Sequence, residues 1–221
     1  VSNPNRFGVA EVINDRIVSI QEKPSSPKSN FAVTGIYLYD SNIFEAVNSI
    51  KPSERGELEI SDAHQFLIEN GYDVNYSEIT GWWKDTGQPS DLLDANRLVL
   101  DNIKEKNDGY VDSLTTMSGE VIIGKNSQII NSKINGPAII DNDTVIKDSF
   151  IGPYSSIGNN CKITSSKVEY SIMMEGCVID CVDRNIKSSL LGKNVKIISS
   201  NDNNNQARFL LGDQSYIELI D

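Results

Sequence analysis

Residues 121–163 read VIIGKNSQIINSKINGPAIIDNDTVIKDSFIGPYSSIGNNCKI, and the spacing of their aliphatic residues decides the fold of the second half of the chain. An aliphatic residue recurs about every six positions, and no α-helical period is six. A step of six is typical of a left-handed parallel β-helix, in which each hexad forms one flat side of a triangular coil. The series predicts about 14 hexads in roughly four to five coils. The alternative is a set of scattered short strands in a β-sandwich, which the regular step disfavours. The repeated positions are Ile123, Ile129, Ile134, Ile140, Ile146, Ile151, Ile157, Ile163, Val168, Met173, Ile179, Ile186, Leu191 and Ile197.

The first half of the chain mixes strands with helices. Two apolar runs flank Asn14-Asp15, which suits the tight turn of a hairpin. Phe31–Tyr39 is rich in β-branched and aromatic residues, which predicts a buried strand. Three helices follow, with predicted caps or first residues at Asp40 or Ser41, at Ser61 and at Pro89.

A polar stretch at residues 104–108 marks the predicted domain boundary. We therefore expect an α/β domain over residues 1–108 and a β-helix domain over 109–221. Residues 209–211 and 216–220 turn apolar again after a polar loop, which predicts a terminal cap on the β-helix.

Composition restricts the classes of partner. The 221 residues carry a net charge of −11, which argues against nucleic acid and anionic membranes as partners. No run approaches the length of a membrane span and no signal peptide is recognisable. Three cysteines without zinc spacing favour free thiols in a reducing cytoplasm. The chain begins at Val1 without an initiator methionine, so we expect its start to be a cut.

Three short strings carry the candidate chemistry: Glu22-Lys23-Pro24, residues 55–60 (RGELEI) and residues 81–87 (GWWKDTG). They supply two cations suited to a phosphate and a carboxylate suited to a metal, the set needed to bring a sugar phosphate to a nucleotide. The sequence contains no glycine-rich phosphate loop of either common type. The strings therefore predict one half of an active site.

Read together, these strings resemble the sugar-1-phosphate nucleotidylyltransferases, and most closely the long, archaeal-type glucose-1-phosphate thymidylyltransferases with a C-terminal β-helix. The resemblance also rests on residues 6–9 (RFGV), on residues 32–37 (AVTGIY) and on Asp62, and all the motifs occur in the family's order. The family's N-terminal glycine-rich loop and metal-binding aspartate have no counterpart here. The resemblance therefore implies the sugar-phosphate side of the catalytic domain, followed by its β-helix.

The resemblance also implies roles for single residues. Lys23 and Arg55 would hold the sugar phosphate, and Asp85 would bind Mg²⁺, so that these three are the candidate catalytic residues. Glu22 would accept hydrogen bonds from sugar hydroxyls. Gly8, Val33 and Gly35 would line the sugar ring. The implied substrates are glucose 1-phosphate and dTTP, and the flat faces of the β-helix suggest a homo-oligomer.

Each of these residues also has a purely structural interpretation. Glu22-Lys23 suits a solvated pair at a strand end, Arg55 can pair with Glu57 or Glu59, and Asp85 can form a turn. His64, the only histidine, is expected to be a surface or packing residue. Two other functions stay open, a non-catalytic scaffolding or regulatory relative and a β-helix acyltransferase. Residues 110–221 contain no histidine to serve as the base of an acyltransferase, which disfavours the latter.

Overall fold

The computed structural model describes residues 1–199 and 216–218 and divides into two compact units, Val1–Trp82 and Trp83–Asp221. We describe each unit separately. None of the helices among the described residues is long and apolar enough to cross a membrane.

The first unit is built on a hairpin. A short 3₁₀ turn, Pro4–Arg6, leads into strand β1 (Gly8–Ile13), which pairs antiparallel with strand β2 (Arg16–Glu22). The connecting residues Asn14 and Asp15 have φ values of 51° and 58°. Both are residue types that tolerate this left-handed conformation, and two such residues match the right-handed twist of a hairpin. The predicted hairpin is confirmed.

Two helices pack on each other, and the second of them also packs on the hairpin. Helix α1 (Ile43–Ser49) and helix α2 (Ile60–Glu69) share a small apolar core around Ala46, Ala63 and Leu67. Helix α2 is fastened to β2 because the backbone N–H of Ile20 donates to Oε1 of Gln65 at 2.8 Å. The predicted caps are wrong: α1 is preceded by Asn42 and α2 by Glu59, neither with a capping side-chain bond. Ser61 therefore lies inside α2, where its hydroxyl is free for another partner.

The predicted buried strand at Phe31–Tyr39 does not form. Ala32 makes an isolated bridge to Val9, and the N–H of Val33 donates to the carbonyl of Gly8 at 2.8 Å. Beyond Val33 the segment is largely exposed, with Ile36 84% and Leu38 99% accessible. A β-branched run becomes a buried strand only when neighbouring strands and a covering layer meet it. Within the described part of the first unit, residues 34–39 have no such neighbour strand.

The second unit begins with helix α3 (Pro89–Leu100) and continues into a parallel β-helix of three sheets. Among the described residues, the first sheet has six strands, the second six and the third five. The strands are numbered along the chain. The first sheet consists of β3 (Lys106–Asn107), β6 (Val121–Ile123), β9 (Ala138–Ile140), β12 (Ser155–Ile157), β15 (Ile172–Met173) and β18 (Leu190–Leu191). The second consists of β4 (Tyr110–Val111), β7 (Gln128–Ile130), β10 (Val145–Lys147), β13 (Lys162–Thr164), β16 (Val178–Asp180) and β19 (Lys196–Ile198). The third consists of β5 (Thr116–Ser118), β8 (Lys133–Asn135), β11 (Phe150–Ile151), β14 (Lys167–Glu169) and β17 (Asn185–Lys187).

The hexad series forms the core of this β-helix. Ile129 lies in register with Ile146, and Ile146 with Ile163. One turn therefore advances 17 residues here, which explains why a step of six is sometimes five. The residues of the series from Ile123 to Ile179 are almost completely buried, whereas Ile186 and Ile197 are only partly so. The predicted fold class, α/β followed by a β-helix, is confirmed.

Helix α3 packs on the β-helix. The side-chain amide of Asn96 donates to the carbonyl of Tyr154 at 3.0 Å, and its oxygen accepts from the hydroxyl of Ser156 at 2.6 Å. The Arg97 guanidinium lies 5.2 Å from the centre of the Tyr154 ring. The compact units thus divide before α3, which the sequence placed in the domain 1–108. Of the predicted cap at 209–211 and 216–220, all but 216–218 lies outside the described residues.

Candidate functional site

The first unit gathers a carboxylate, a hydroxyl and a glycine at the end of the hairpin. Glu22 is the last residue of β2, and Gly8, the first residue of β1, is its register partner. The hydroxyl of Ser61 on α2 donates to Oε2 of Glu22 at 2.7 Å. A methyl group at Gly8 would lie 2.5 Å from Oγ of Ser61 and 3.1 Å from Oε2 of Glu22. Position 8 must therefore be glycine for this bond to form.

Two cations face the other oxygen of Glu22. Nζ of Lys23 lies 3.9 Å and Nη1 of Arg55 lies 3.8 Å from Oε1. Both distances exceed those of a hydrogen bond, so neither cation is in direct contact with the carboxylate. Arg55 also hydrogen-bonds Glu57 and lies 3.5 Å from Oε1 of Glu59. The structure thus brings together Glu22, Lys23 and Arg55, as the motifs predict. It also contains the Arg55–Glu57 pair, which was the alternative, purely structural role for Arg55.

Lys23 adopts an unusual backbone conformation. Its φ is +40°, a value that costs free energy for a residue with a side chain, and its N–H is held by the carbonyl of Phe7 at 2.9 Å. Backbone strain of this kind occurs preferentially at binding and catalytic sites. Here it turns the chain sharply after β2, and the turn places the cation beside Glu22.

Val33 and Gly35 differ in their surroundings. Val33 packs next to Gly8, with Cβ 3.5 Å from the position that a Gly8 methyl group would take. A methyl group at Gly35 would meet no atom within 4 Å. The structure therefore places Val33 in the cluster and leaves the backbone of Gly35 open on one side. Their predicted roles at the sugar ring stay predictions.

The charge of Glu22 also affects two further side chains, Asp62 and Tyr37. The pKa of Asp62 is raised by burial and then by the charges of Glu59 and Glu22. Burial and the charge of Glu22 also raise the pKa of Tyr37. Both shifts favour the uncharged form of the side chain. Both residues lie in motifs that the sequence analysis singled out, Asp62 just after residues 55–60 and Tyr37 in residues 32–37, but the motifs assigned neither of them a role.

His64 is a packing residue and not a surface residue. It is 5% exposed, its ring lies 5.0 Å from that of Tyr37, and its Nε2 contacts the hydroxyl of Tyr39. Its Nδ1 is buried without a hydrogen-bond partner among the described residues. Burial lowers the pKa of this imidazole, so that its neutral form is favoured.

Asp85 belongs to the second unit, in an exposed loop before α3. The loop is fixed to the helix because Nζ of Lys84 lies 3.0 Å from Asp91 and 2.8 Å from Asp94. Asp91 also accepts from the backbone N–H of Gln88 in a capping box. Nowhere in the described ranges do three His, Cys, Asp or Glu side chains form a metal cluster. Mg²⁺ is commonly bound by one or two carboxylates plus substrate phosphates, so exposed Asp85 fits as a single protein ligand.

The fold and the cluster define a two-part protein, an α/β unit with an ionic site followed by a parallel β-helix. Residues 1–102 match the family model described as Nucleotidyl transferase. Through this segment the chain resembles the nucleotidyl transferase family. The predicted family resemblance is confirmed.

Curated relatives match almost the whole chain. It is similar to the glucose-1-phosphate thymidylyltransferases of Streptomyces antibioticus, 47% identical, and Streptomyces griseus, 40% identical. It is also 37% identical to the low-salt glycan biosynthesis nucleotidyltransferase Agl11 of Haloferax volcanii. Each alignment covers 99% of this chain and 62% of the relative, so the chain spans less than two thirds of their length.

Proposed function

We propose that the chain provides the sugar-phosphate side of a sugar-1-phosphate nucleotidylyltransferase. The observation that carries the proposal is the cluster of Glu22, Lys23 and Arg55 on the family-matched segment, with two cations held just out of contact with one carboxylate. Two relatives that are named glucose-1-phosphate thymidylyltransferases support glucose 1-phosphate and dTTP as the substrates.

The proposed reaction requires positioning more than covalent chemistry. A phosphate oxygen of the sugar 1-phosphate attacks the α-phosphorus of the nucleotide, and the bond from that phosphorus to the bridging oxygen breaks to release pyrophosphate. Lys23 and Arg55 hold the attacking phosphate, since a planar guanidinium and an ammonium can share its oxygens. Glu22 accepts from sugar hydroxyls, while Gly8, Val33 and Gly35 border the ring. Such orientation of two reactants lowers the barrier without an intermediate on the protein.

Mg²⁺ is proposed as the cofactor, with Asp85 as its ligand from this chain. The ion would neutralise charge on the phosphates as pyrophosphate leaves. The loop around Asp85 is held by Lys84 and Asp91, which limits the movement of the carboxylate.

The nucleotide is proposed to bind to residues outside these 221. The sequence contains no glycine-rich loop, and the relatives extend well beyond the aligned segment. We further propose a cytoplasmic homo-oligomer that associates through the β-helix, because flat sheet faces with partly buried aliphatic residues suit self-association. On this proposal the 221-residue chain alone does not catalyse the reaction.

The test is pyrophosphate release from dTTP and glucose 1-phosphate with Mg²⁺. We would compare this chain with a form as long as the relatives, each with Asp85→Asn and with the control Asp73→Asn, the same charge change at an exposed site in the first unit. We expect turnover only in the longer form, its loss in Asp85→Asn and its retention in Asp73→Asn. Activity of the short chain alone would refute the half-site proposal. Inactivity of both forms with all nucleotides and several sugar phosphates would favour the scaffolding function.

A further inference from the structure

Ser61 is buried at 1% exposure, and its hydroxyl has one carboxylate partner, Oε2 of Glu22. The two carboxylate oxygens of Glu22 therefore have different neighbours. Oε2 is held by α2 beside Gly8, whereas Oε1 faces Lys23 and Arg55 at 3.9 and 3.8 Å. A carboxylate that is free to move would close on such cations to 2.7–2.9 Å, the usual distance for N⁺–H···O⁻ hydrogen bonds.

We infer that Ser61 is a positioning residue that holds Glu22 away from Lys23 and Arg55 and so keeps both cations available for the phosphate of the sugar substrate. The inference rests on the proposed function, because it assigns the cations to a phosphate. Its physical basis is a competition. Glu22 and the phosphate are both anions within reach of the same two cations, Lys23 and Arg55. The bond from Ser61 holds the Glu22 carboxylate away from these cations.

Gly8 takes part in the same arrangement. A methyl group at this position would press on Ser61 Oγ and Glu22 Oε2 together. The absence of a side chain at Gly8 therefore leaves the space in which the Ser61–Glu22 bond lies, and the register of β1 and β2 places Gly8 there.

The first measurement is the affinity of the protein, in a form as long as its relatives, for glucose 1-phosphate and for inorganic phosphate by titration calorimetry. Ser61→Ala should weaken both about tenfold, since a charge-assisted hydrogen bond is lost and Glu22 closes on the cations. Ser61→Thr, which keeps the hydroxyl, should bind both ligands better than Ser61→Ala. In the double variant Ser61→Ala/Glu22→Gln the neutral amide no longer competes, so inorganic phosphate should bind at least as tightly as to the unaltered protein.

The double variant separates positioning from a merely structural role. If Ser61 only stabilised the fold, removal of the Glu22 charge would not restore phosphate binding, and that result would overturn the inference. Equal affinity of Ser61→Ala and the unaltered protein would also overturn it. Failure of the unaltered protein to bind either ligand would contradict the proposed function itself, and the inference with it. Thermal unfolding of each variant identifies any that fail to fold, and Ser61→Cys then replaces Ser61→Ala as a weak donor of similar volume.

Discussion

At the scale of the residue, Lys23 combines an unfavourable backbone conformation with a charge at the candidate site. Asparagine tolerates a φ of +40° better than lysine does, so Lys23→Asn should relieve strain while it removes the cation. We expect the free energy of unfolding to stay unchanged or to rise by up to about 1 kcal/mol. The affinity for glucose 1-phosphate should fall at least about tenfold, because the loss of a charged hydrogen bond costs about 1.5–3 kcal/mol. Urea unfolding and titration calorimetry measure the two effects.

The matched control is Lys28→Asn. Lys28 lies in the segment after β2 and pairs at 2.9 Å with Glu11 of β1, outside the candidate site. It should leave sugar-phosphate affinity unchanged. If both variants bind the sugar phosphate as tightly as the unaltered chain does, Lys23 has no part in phosphate binding.

The family resemblance of the motifs placed Glu22, Lys23 and Arg55 in one site, although Arg55 lies in a separate string from Glu22-Lys23. The motifs could not assign Ser61 or His64. The role of Ser61 depends on the docking of α2 against β2, and that of His64 on the path of the chain through Tyr37 and Tyr39. Neither contact has a local sequence pattern.

At the scale of the element, the attachment of α2 should depend on pH through His64. Burial lowers the pKa of its imidazole from the ordinary 6.5, so the unfolded chain binds the proton more readily than the folded one. The free energy of unfolding should therefore fall as the pH falls below about 6.5, by at most about 1.4 kcal/mol per pH unit. Urea unfolding between pH 5 and pH 8, chosen as a range about that pKa, should show a weaker dependence in His64→Phe than in the unaltered chain. Identical pH profiles would show that His64 does not cause the change.

The turns of the β-helix depend on a column of buried polar side chains. Thr144 Oγ1 donates to the carbonyl of Gly158 at 2.8 Å and accepts from the N–H of Cys161 at 3.0 Å. Thr144→Val keeps the shape but leaves both groups of the neighbouring coil without these partners. We expect a loss of about 1–3 kcal/mol in the free energy of unfolding. Thr144→Ser keeps the hydroxyl and should cost less, and an equal loss in both would assign the effect to packing instead of hydrogen bonding.

The two halves of the chain differ in how well the sequence predicted their elements. The hexad series predicted the β-helix because each residue of the series packs on the equivalent residue of the next coil. The repeat in the sequence therefore specifies the tertiary contacts as well as the strands. The segment Phe31–Tyr39 is rich in residues that favour strands, yet within it only Ala32 forms a β-bridge. A strand is defined by its neighbours, and composition alone does not supply them.

At the scale of the whole molecule, the first unit exposes large aliphatic side chains of the type that the β-helix buries in its core. Ile36 and Leu38 point away from the packed side of their segment, while Tyr37 and Tyr39 contact His64. This alternation is the pattern of a strand with one face covered. The chain matches 62% of the length of its curated relatives, so a longer form has additional residues that could supply the second layer.

We predict that Leu38 becomes buried in a form of the protein as long as those relatives. In the 221-residue chain Leu38→Ser should change the free energy of unfolding by less than about 0.5 kcal/mol, because a side chain that is 99% exposed loses no packing. In the longer form the same substitution should cost at least about 2 kcal/mol, as core truncations do. Leu67→Ala, in the core between α1 and α2, is the control that should destabilise both forms. Urea unfolding of the four variants and the two parent proteins gives the comparison, and a small effect of Leu38→Ser in the longer form would mean that this face stays exposed there and serves another contact.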